Sequence, residues 1–364
     1  MRTVRMAVVG NPENRRVALF EQAAVQLGLT PPRIVPWLDV ARGRARFEPG
    51  EMVRIDSPGE NAEVTRLLRG SIGPVDMYRV EGTAAWYAGF TAALDGLHKQ
   101  IIDAGATALA DPAETAIVFD KARCHAKLSE RGVAVPTVLR GVTDYESLAA
   151  AVAPPWRGDV FVKIRHGSSA SGVVALVVRR GRLVEAVTSA EIERDADGIR
   201  LYNSLQVRRY RDESDIRTLI DTLGADGLHT EAWVAKHRSQ GRQCDVRVVT
   251  VAGRATHAVV RTSAQPMTNL HLGGRRGELA GFQAEVGQER WTAILDLAEQ
   301  AAACFPATHC LGVDILPDRH GTQCVGEVNA YGDLLPNLVG LPETIGEGVD
   351  TYTAQLRALI GAAG

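Results

Sequence analysis

Near the end of the chain, Asp314, Glu327 and Asn329 stand in two short apolar runs, 311–316 and 324–329, on either side of a turn-rich stretch, 317–323. Apolar runs flanking a turn that contains Pro, Asp and Gly read as a β-hairpin. With a two-residue loop at His320-Gly321, the register sets Asp314 directly opposite Glu327. A strand period of two then puts Asn329 on the face of Glu327. Like charges directly opposite each other destabilise a sheet, so something cationic belongs between them. A donor set made only of oxygens suits Mg²⁺, which keeps waters and bridges to phosphates. A solvated hairpin with incidental acids accounts for the same residues, and the hairpin alone does not separate the two readings.

A second group of residues offers the complement. Lys163 lies in the apolar run 160–164, which ends in Arg165-His166-Gly167-Ser168-Ser169-Ala170-Ser171-Gly172. A loop of small residues between strands presents many backbone N–H groups and little bulk, which suits polyphosphate oxygens. A flexible hairpin tip has the same composition; the cation just before the loop favours the phosphate reading. Further on, 244–251 pairs with 254–260 across Ala252-Gly253, a two-residue hairpin signal. Asp245 and Arg247 share a face there, while Arg261 falls on the opposite face unless a bulge intervenes.

The elements that must position these groups follow in order. A strand at 4–9, a Gly/Asn turn and a helix through Leu27 open an α/β layer. Only Gly10 is present in that turn, so no Gly-x-Gly-x-x-Gly dinucleotide fingerprint exists. Strands are expected at 33–38, 52–55 and 108–110, with helices at 61–69 and 84–105. Asp111-Pro112 starts a helix to Phe119 and Asp120-Lys121 opens another to Gly132. Thr143 and Glu146 have capping-box spacing for a helix to Val152. After Asp159 the pattern turns to strands, at 160–164, 173–178, 183–187, 200–209 and 228–234, with a helical segment at 212–223. A helix over 290–305 precedes the opening hairpin, and another, 348–361, ends the chain.

Composition bounds the rest. The 364 residues suggest two or three domains, and 45% apolar with 23% charged residues is ordinary for a globular protein. A formal net charge of −2 gives no global reason to expect nucleic acid or an anionic membrane as a partner. No apolar run reaches 18 residues, and the start lacks a signal-peptide pattern, so a cytoplasmic location is expected. Five cysteines without Cys-x-x-Cys spacing argue against a disulfide framework or zinc knuckle.

Taken together, these motifs resemble the ATP-grasp superfamily, most nearly its glutathione synthetase and ribosomal-protein glutamate ligase branch. The sequence is also similar to a bacterial group carrying Arg-Ile-Asp-Ser-Pro-Gly-Glu near the N-terminus, here residues 54–60. The resemblance covers essentially the whole chain. It implies an α/β and α+β protein: an N-terminal α/β pre-grasp domain (1–110), a central lobe with the phosphate loop (111–190) and a C-terminal lobe with the metal site (191–364), the two lobes clamping ATP. It implies that Lys121 and Lys163 contact phosphates, that Gly167, Ser168, Ser169 and Ser171 form the loop over them, and that Glu231, Trp233 and Val234 border adenine. It further implies Asp314, Glu327 and Asn329 as ligands of Mg²⁺ or Mn²⁺, with the family's spacing of thirteen and two residues intact. The Asp-x-Arg motif matches Asp245 and Arg247, followed by Arg261 after the next strand, and the Asn/Gly loop matches Asn269 to Gly274. The family's acidic residue after the hinge is not evident; Lys236 and His237 occupy that region, which leaves the ribose contact unassigned.

The function implied is ATP-dependent carboxylate–amine ligation, in which a carboxylate becomes an acyl phosphate and an amine then attacks. Arg247, Arg261 and Asn269 are the expected catalytic residues, with Arg261 holding the carboxylate or acyl phosphate because Arg matches such oxygens bidentately. His271 is a candidate general base. The partners implied are a small-molecule or peptide carboxylate and an amine acceptor, and homodimers are frequent in the family. Arg54, Arg275 and Arg276 hint at an anionic substrate group. Two other readings stay open at this point: an ATP-grasp kinase acting on a hydroxyl, and a non-catalytic nucleotide-binding module.

Overall fold

The computed structural model describes residues 4–167, 171–196, 198–332 and 334–362. The chain opens with β1 (Met6–Gly10), α1 (Arg15–Gln26), β2 (Arg33–Pro36), α2 (Trp37–Ala41), β3 (Met52–Ile55), α3 (Ala62–Leu68), α4 (Thr83–Asp103) and β4 (Thr107–Ala108). These strands form a parallel sheet in the order β2-β1-β3-β4. The strand expected to run to Leu38 stops at Pro36. Trp37 there starts a helical turn, buries its ring, and donates Nε1–H to the Asp56 carbonyl at 2.8 Å. The short fourth strand covers 107–108 rather than 108–110.

The middle of the chain carries α5 (Pro112–Phe119), α6 (Lys121–Glu130) and α7 (Tyr145–Ala151). Asp111 and Asp120 cap the first two as their sequence signals require: Asp111 accepts from the Glu114 N–H and Asp120 from those of Ala122 and Arg123. The capping box of α7 is Asp144 with Ser147, one residue on from the expected Thr143 and Glu146 pair. A five-stranded antiparallel sheet follows, built from β5 (Val160–Ile164), β6 (Val173–Arg179), β7 (Arg182–Asp195), β8 (Gly198–Tyr210) and, after α8 (Glu213–Gly224), β9 (Leu228–Ala232). Its order is β8-β7-β6-β5-β9. The boundary expected at residue 190 therefore falls inside β7, and the sheet is complete only when β9 has paired with β5. Ile216, Leu219, Ile220 and Leu223 of α8 bury one face of it together with Leu148.

The last sheet holds β10 (Arg238–Ser239), β11 (Arg242–Val251), β12 (Arg254–Ser263), β13 (Arg275–Arg276), β14 (Cys310–Pro317) and β15 (Gln323–Asn329). Its order is β13-β12-β11-β14-β15, with β10 beside β11. Between β13 and β14 lie α9 (Leu279–Val286), which the sequence did not announce, and α10 (Gln288–Ala303). In β11, β12 and β14 the residues Val246, Val248, Val260, Val313 and Ile315 point at Trp291, Ile294, Ala298 and Ala301 of α10. Each such aliphatic side chain contributes roughly 1.5–3 kcal/mol on burial. With one face of the sheet sealed by that core, the polar alternate residues must face the other way, into the cleft. The final helix, α11 (Thr351–Ala362), returns to the first layer, where Tyr352 and Leu356 pack with Met6, Val8 and Phe20. Among the described residues no helix is long and apolar enough to cross a membrane.

Candidate active site

Asp314 pairs directly with Glu327, and Gly312 with Asn329, as the hairpin reading expected. The route to that register differs from the expected one. The loop is longer than His320-Gly321: Pro317 pairs with Gln323, and Asp318 closes the turn by donating its N–H to the Thr322 carbonyl at 2.8 Å. This shifts the pairing near the turn by one residue. Gly326 is then an extra residue between Val325 and Glu327, and its bulge restores the offset. A Cβ at Gly326 would come within 2.8 Å of the Leu316 side chain, so the bulge tolerates little there.

A second bulge corrects the position of Arg261. Val251 pairs with Arg254 and Thr250 with Ala255, but Val249 pairs with His257, leaving Thr256 as the extra residue. Arg261 is thereby brought opposite Asp245, onto the same face as Arg247. Its Nε donates to Asp245 Oδ1 at 2.7 Å and its Nη2 lies 3.0 Å from Asp314 Oδ1. Arg247 donates Nη2 to Asp314 Oδ2 at 3.0 Å and reaches Oδ1 through Nε. Burial alone would raise the Asp314 carboxyl, yet the two guanidiniums outweigh it and hold the group well below the usual carboxylate range. Burial likewise works against the Arg261 charge, and Asp245 and Asp314 more than compensate.

Across the cleft, Lys121 at the first turn of α6 donates to Glu327 Oε1 at 2.6 Å and to the Gly167 carbonyl at 2.7 Å. Lys163 on β5 lies 2.5 Å from Glu231 Oε1 and 3.4 Å from the Gly326 carbonyl. Burial pushes the Lys163 ammonium down, but Glu231 and then Glu327 raise it above its ordinary value. Glu231 is 3% exposed, and burial pushes its carboxyl up; Lys163 and His229 reverse this and bring it to about 2. His229 Nε2 is 3.1 Å from Glu231 Oε2. The Glu231 side chain is thus held inward by Lys163 and His229.

The neck of the small-residue loop is narrow. A Cβ on Gly167 would sit 2.9 Å from the Ser171 carbonyl oxygen. His166 stacks on Tyr87, with ring centroids 3.9 Å apart and planes 8° from parallel, and Arg165 is paired with Asp120. Ser171 lies in the turn leading into β6; Ser168 and Ser169 lie outside the described residues.

The remaining expected residues sit at the margin. The strand expected to reach 234 ends at Ala232, so Trp233 and Val234 belong to the link between β9 and β10. Trp233 packs on Phe161, 5.1 Å between ring centroids, in a cluster that also holds Met267 and Leu272. Asn269 accepts the His271 N–H at 2.8 Å through Oδ1 and so caps a short helical turn, 270–272. His271 is exposed. One participant escaped the sequence reading. Lys236 is buried, with Nζ 3.1 Å from Thr268 Oγ1 and 3.7 Å from Asp245 Oδ2, and burial lowers its pKa. A single lysine in an irregular link carries no periodic signal that could have singled it out.

A narrow cleft runs between α6, β5, β9 and β15, lined among others by Lys121, His125, Lys163, His229 and Glu327. Of the three oxygen donors Glu327 lines this cleft, facing Lys121 and Lys163, while Asp314 and Asn329 share its sheet face. The donor set fits a hard divalent cation in chemical type: Glu327 keeps a partly exposed carboxylate, 35% of its side chain accessible, and Asn329 stands two residues away on the same face. Asp314 can join only by sharing or releasing its two arginines.

No protein-family model matches the chain, and no curated protein sequence does. Solved structures do. The ATP-grasp ligase PsnB, complexed with a phosphomimetic variant of its minimal precursor, Mg and ADP, superposes with a TM-score of 0.57 at 17% identity, covering 100% of this chain and 99% of that one. The D-cycloserine synthetase DcsG gives 0.56 at 16% identity, with 99% of both chains covered. The D-alanine–D-alanine ligase of Bacillus anthracis, complexed with ATP, gives 0.52 at 13% identity, covering 98% of this chain and 96% of that one. The chain therefore has the ATP-grasp fold from end to end, as its motifs implied.

Proposed function

We propose that this protein is an ATP-dependent, ADP-forming carboxylate–amine ligase, of the kind represented by the glutathione synthetase and ribosomal-protein glutamate ligase branch. The observation that carries the reading is the pairing of Asp314 with Glu327 on one sheet, met across the cleft by Lys121 and Lys163 from the other side. Oxygen donors on one wall and ammonium groups on the other are what a metal–polyphosphate needs. Phosphoryl transfer is mostly positioning and neutralisation of charge, so no nucleophile–base pair is required of the protein. The named functions of PsnB, DcsG and the D-alanine ligase, all joining enzymes, support a ligase over a kinase.

Asp314, Glu327 and Asn329 would hold Mg²⁺ or Mn²⁺. Bound there, the ion supplies charge neutralisation between the phosphates and an incoming carboxylate. Lys121 and Lys163 exchange their present carboxylate partners for phosphate oxygens, and Gly167 and Ser171 stand beside them at the base of the Gly/Ser loop. Glu231 keeps Lys163 charged and aimed while the site is empty of nucleotide. Trp233 and Val234 border the base. Arg261, held by Asp245, presents its guanidinium to the substrate carboxylate, and Arg247 fixes Asp314. Asn269 acts through the acceptor-side loop whose turn it caps.

In the reaction a substrate carboxylate oxygen bonds to the γ-phosphorus as the bond from that phosphorus to the ADP oxygen breaks. The amine nitrogen then bonds to the acyl carbon, phosphate leaves with the carbon–oxygen electron pair, and the amine loses a proton. Hydroxylamine tests the first half. With Mg–ATP and pools of amino acids and small peptides, the wild type is expected to yield a hydroxamate and Glu327→Gln to yield none. A stable phosphorylated product with no hydroxamate would establish the kinase instead.

A further inference from the structure

Arg276 and Arg261 are directly paired across β13 and β12, so both rise from the face that carries Asp245, Arg247, Asp314 and Glu327. Two cations facing each other in a sheet are unfavourable unless an anion joins them. Arg261 has its anions in Asp245 and Asp314. Arg276 has none: among the described residues its guanidinium makes one hydrogen bond, Nη1 to the Pro336 carbonyl at 2.8 Å, and no ion pair. That bond ties β13, at the end of the loop that begins near Pro266, to the segment running on from Asn329. The same segment touches the metal face through Gly332, whose carbonyl accepts from Arg247 Nη1 at 3.5 Å. The open end of the sheet face is thus bounded by two chain segments, and the exposed Arg276 joins them at its rim.

We propose that Arg276 forms an anion subsite beside Arg261, and that the carboxylate substrate is a dianion. This rests on the ligase reading above. One carboxylate lies at Arg261 to be phosphorylated, and the second is held by Arg276. Side chains directly opposite in a sheet have Cβ atoms on the order of 5 Å apart. The two guanidiniums at the ends of these neighbouring side chains can therefore serve one small dianion, and glutarate, with three carbons between its carboxylates, is a suitable probe. Arg275, next in sequence, pairs with Thr262 and points to the other face, so it belongs to no such site.

Calorimetric titration of glutarate and of pentanoate into the Mg–ADP-loaded protein tests this without turnover. Pentanoate has the same chain length and lacks the second charge. The wild type is expected to bind glutarate at least about tenfold more tightly than pentanoate, in keeping with a charge-assisted guanidinium–carboxylate pair. Arg276→Gln should remove that difference while leaving pentanoate unchanged, and Arg275→Gln should leave both. Equal affinities in the wild type, an unchanged preference in Arg276→Gln, or the same loss in Arg275→Gln overturns the subsite. Failure of the wild type to bind Mg–ADP at all would instead strike the ligase reading on which the subsite depends, and the first titration of the series reveals it.

Discussion

Lys121 Nζ and Glu327 Oε1 lie 2.6 Å apart, although 206 residues separate them in the chain. The contact joins the start of α6 to β15 across the cleft, and it is made by a lysine with 12% and a glutamate with 35% of its side chain exposed. Similar ion pairs recur along this face: Lys163 with Glu231, Arg247 and Arg261 with Asp314, Lys236 with Asp245. Without nucleotide, the site neutralises itself.

Lys121→Met separates binding from folding. A partly exposed pair contributes about 1 kcal/mol or less, so thermal unfolding of the free protein should move by only a few degrees. If Lys121 holds a phosphate as proposed, nucleotide would lose that contact in the same variant, and Mg–ATP affinity should fall at least about tenfold, the scale of one charge-assisted hydrogen bond. Differential scanning fluorimetry with and without Mg–ATP measures both quantities. A variant that melts like the wild type and is shifted equally by Mg–ATP would remove Lys121 from the phosphate site.

Lys163→Met should behave differently, because the partner left behind is buried. Glu231 is 3% exposed and would keep only His229. Removing one member of a buried ion pair costs about 3–5 kcal/mol, readable as a fall in the urea midpoint. In the double variant with Glu231→Gln the loss should be largely recovered, since no uncompensated charge remains. Equal losses in the single and double variants would mean that packing, and not the ion pair, sets the cost.

The same pair predicts a pH profile. Glu231 is depressed to about 2 in the folded protein, because the Lys163 ammonium and the His229 hydrogen bond overcome its burial. A depressed carboxyl contributes stability that is fully present above its unfolded value, about 4.3, and is lost as pH falls toward 2. Asp314, lowered by Arg247 and Arg261 against its own burial, adds to the loss in the same direction. Lys163 is raised, so its contribution holds below its unfolded value and disappears as pH climbs through the folded one. Denaturation midpoints measured from pH 2.5 to 7 should fall on the acid side, and Glu231→Gln should flatten that limb. An unchanged acid limb in the variant would place the titrating groups elsewhere.

Much of this arrangement was legible in the sequence because it depends on local rules. Asp111-Pro112 and Asp120-Lys121 carry their helix starts in their residue types, and β5 and β11 read as apolar runs. What could not be read were insertions of one residue. The bulge at Thr256 turned Arg261 onto the face of Asp314 and Glu327, and the bulge at Gly326 compensated a turn longer than expected. A one-residue slip reverses every side chain beyond it, yet either bulge depends on packing against a neighbouring strand that is distant in sequence. Lys236 and Arg276 could be named from the sequence, but their partners could not: Asp245 and the Pro336 carbonyl are set by the fold and not by spacing.

Gly312→Ala probes how closely the metal face depends on the backbone behind it. Gly312 pairs with Asn329, and a Cβ there would lie 2.6 Å from the Gly332 Cα, a backbone atom that cannot swing aside. The segment carrying Gly332 must shift, and with it the carbonyl that receives Arg247 Nη1 and the backbone just after Asn329. Overpacking of this kind costs about 1–3 kcal/mol, so the variant should fold with a lowered melting temperature. Its Mg²⁺ requirement for nucleotide binding should rise, because Asp314 is tied to the displaced Gly332 carbonyl through Arg247, and Asn329 donates to the carbonyl of Gly312 itself. Gly332→Ala meets the same contact from the other side, with its Cβ 2.5 Å from the Gly312 Cα, and should reproduce both effects. Titrating Mg²⁺ at fixed ADP in the two variants tests the link. Lowered stability with an unchanged Mg²⁺ midpoint in both would show that the metal face does not depend on this backbone contact.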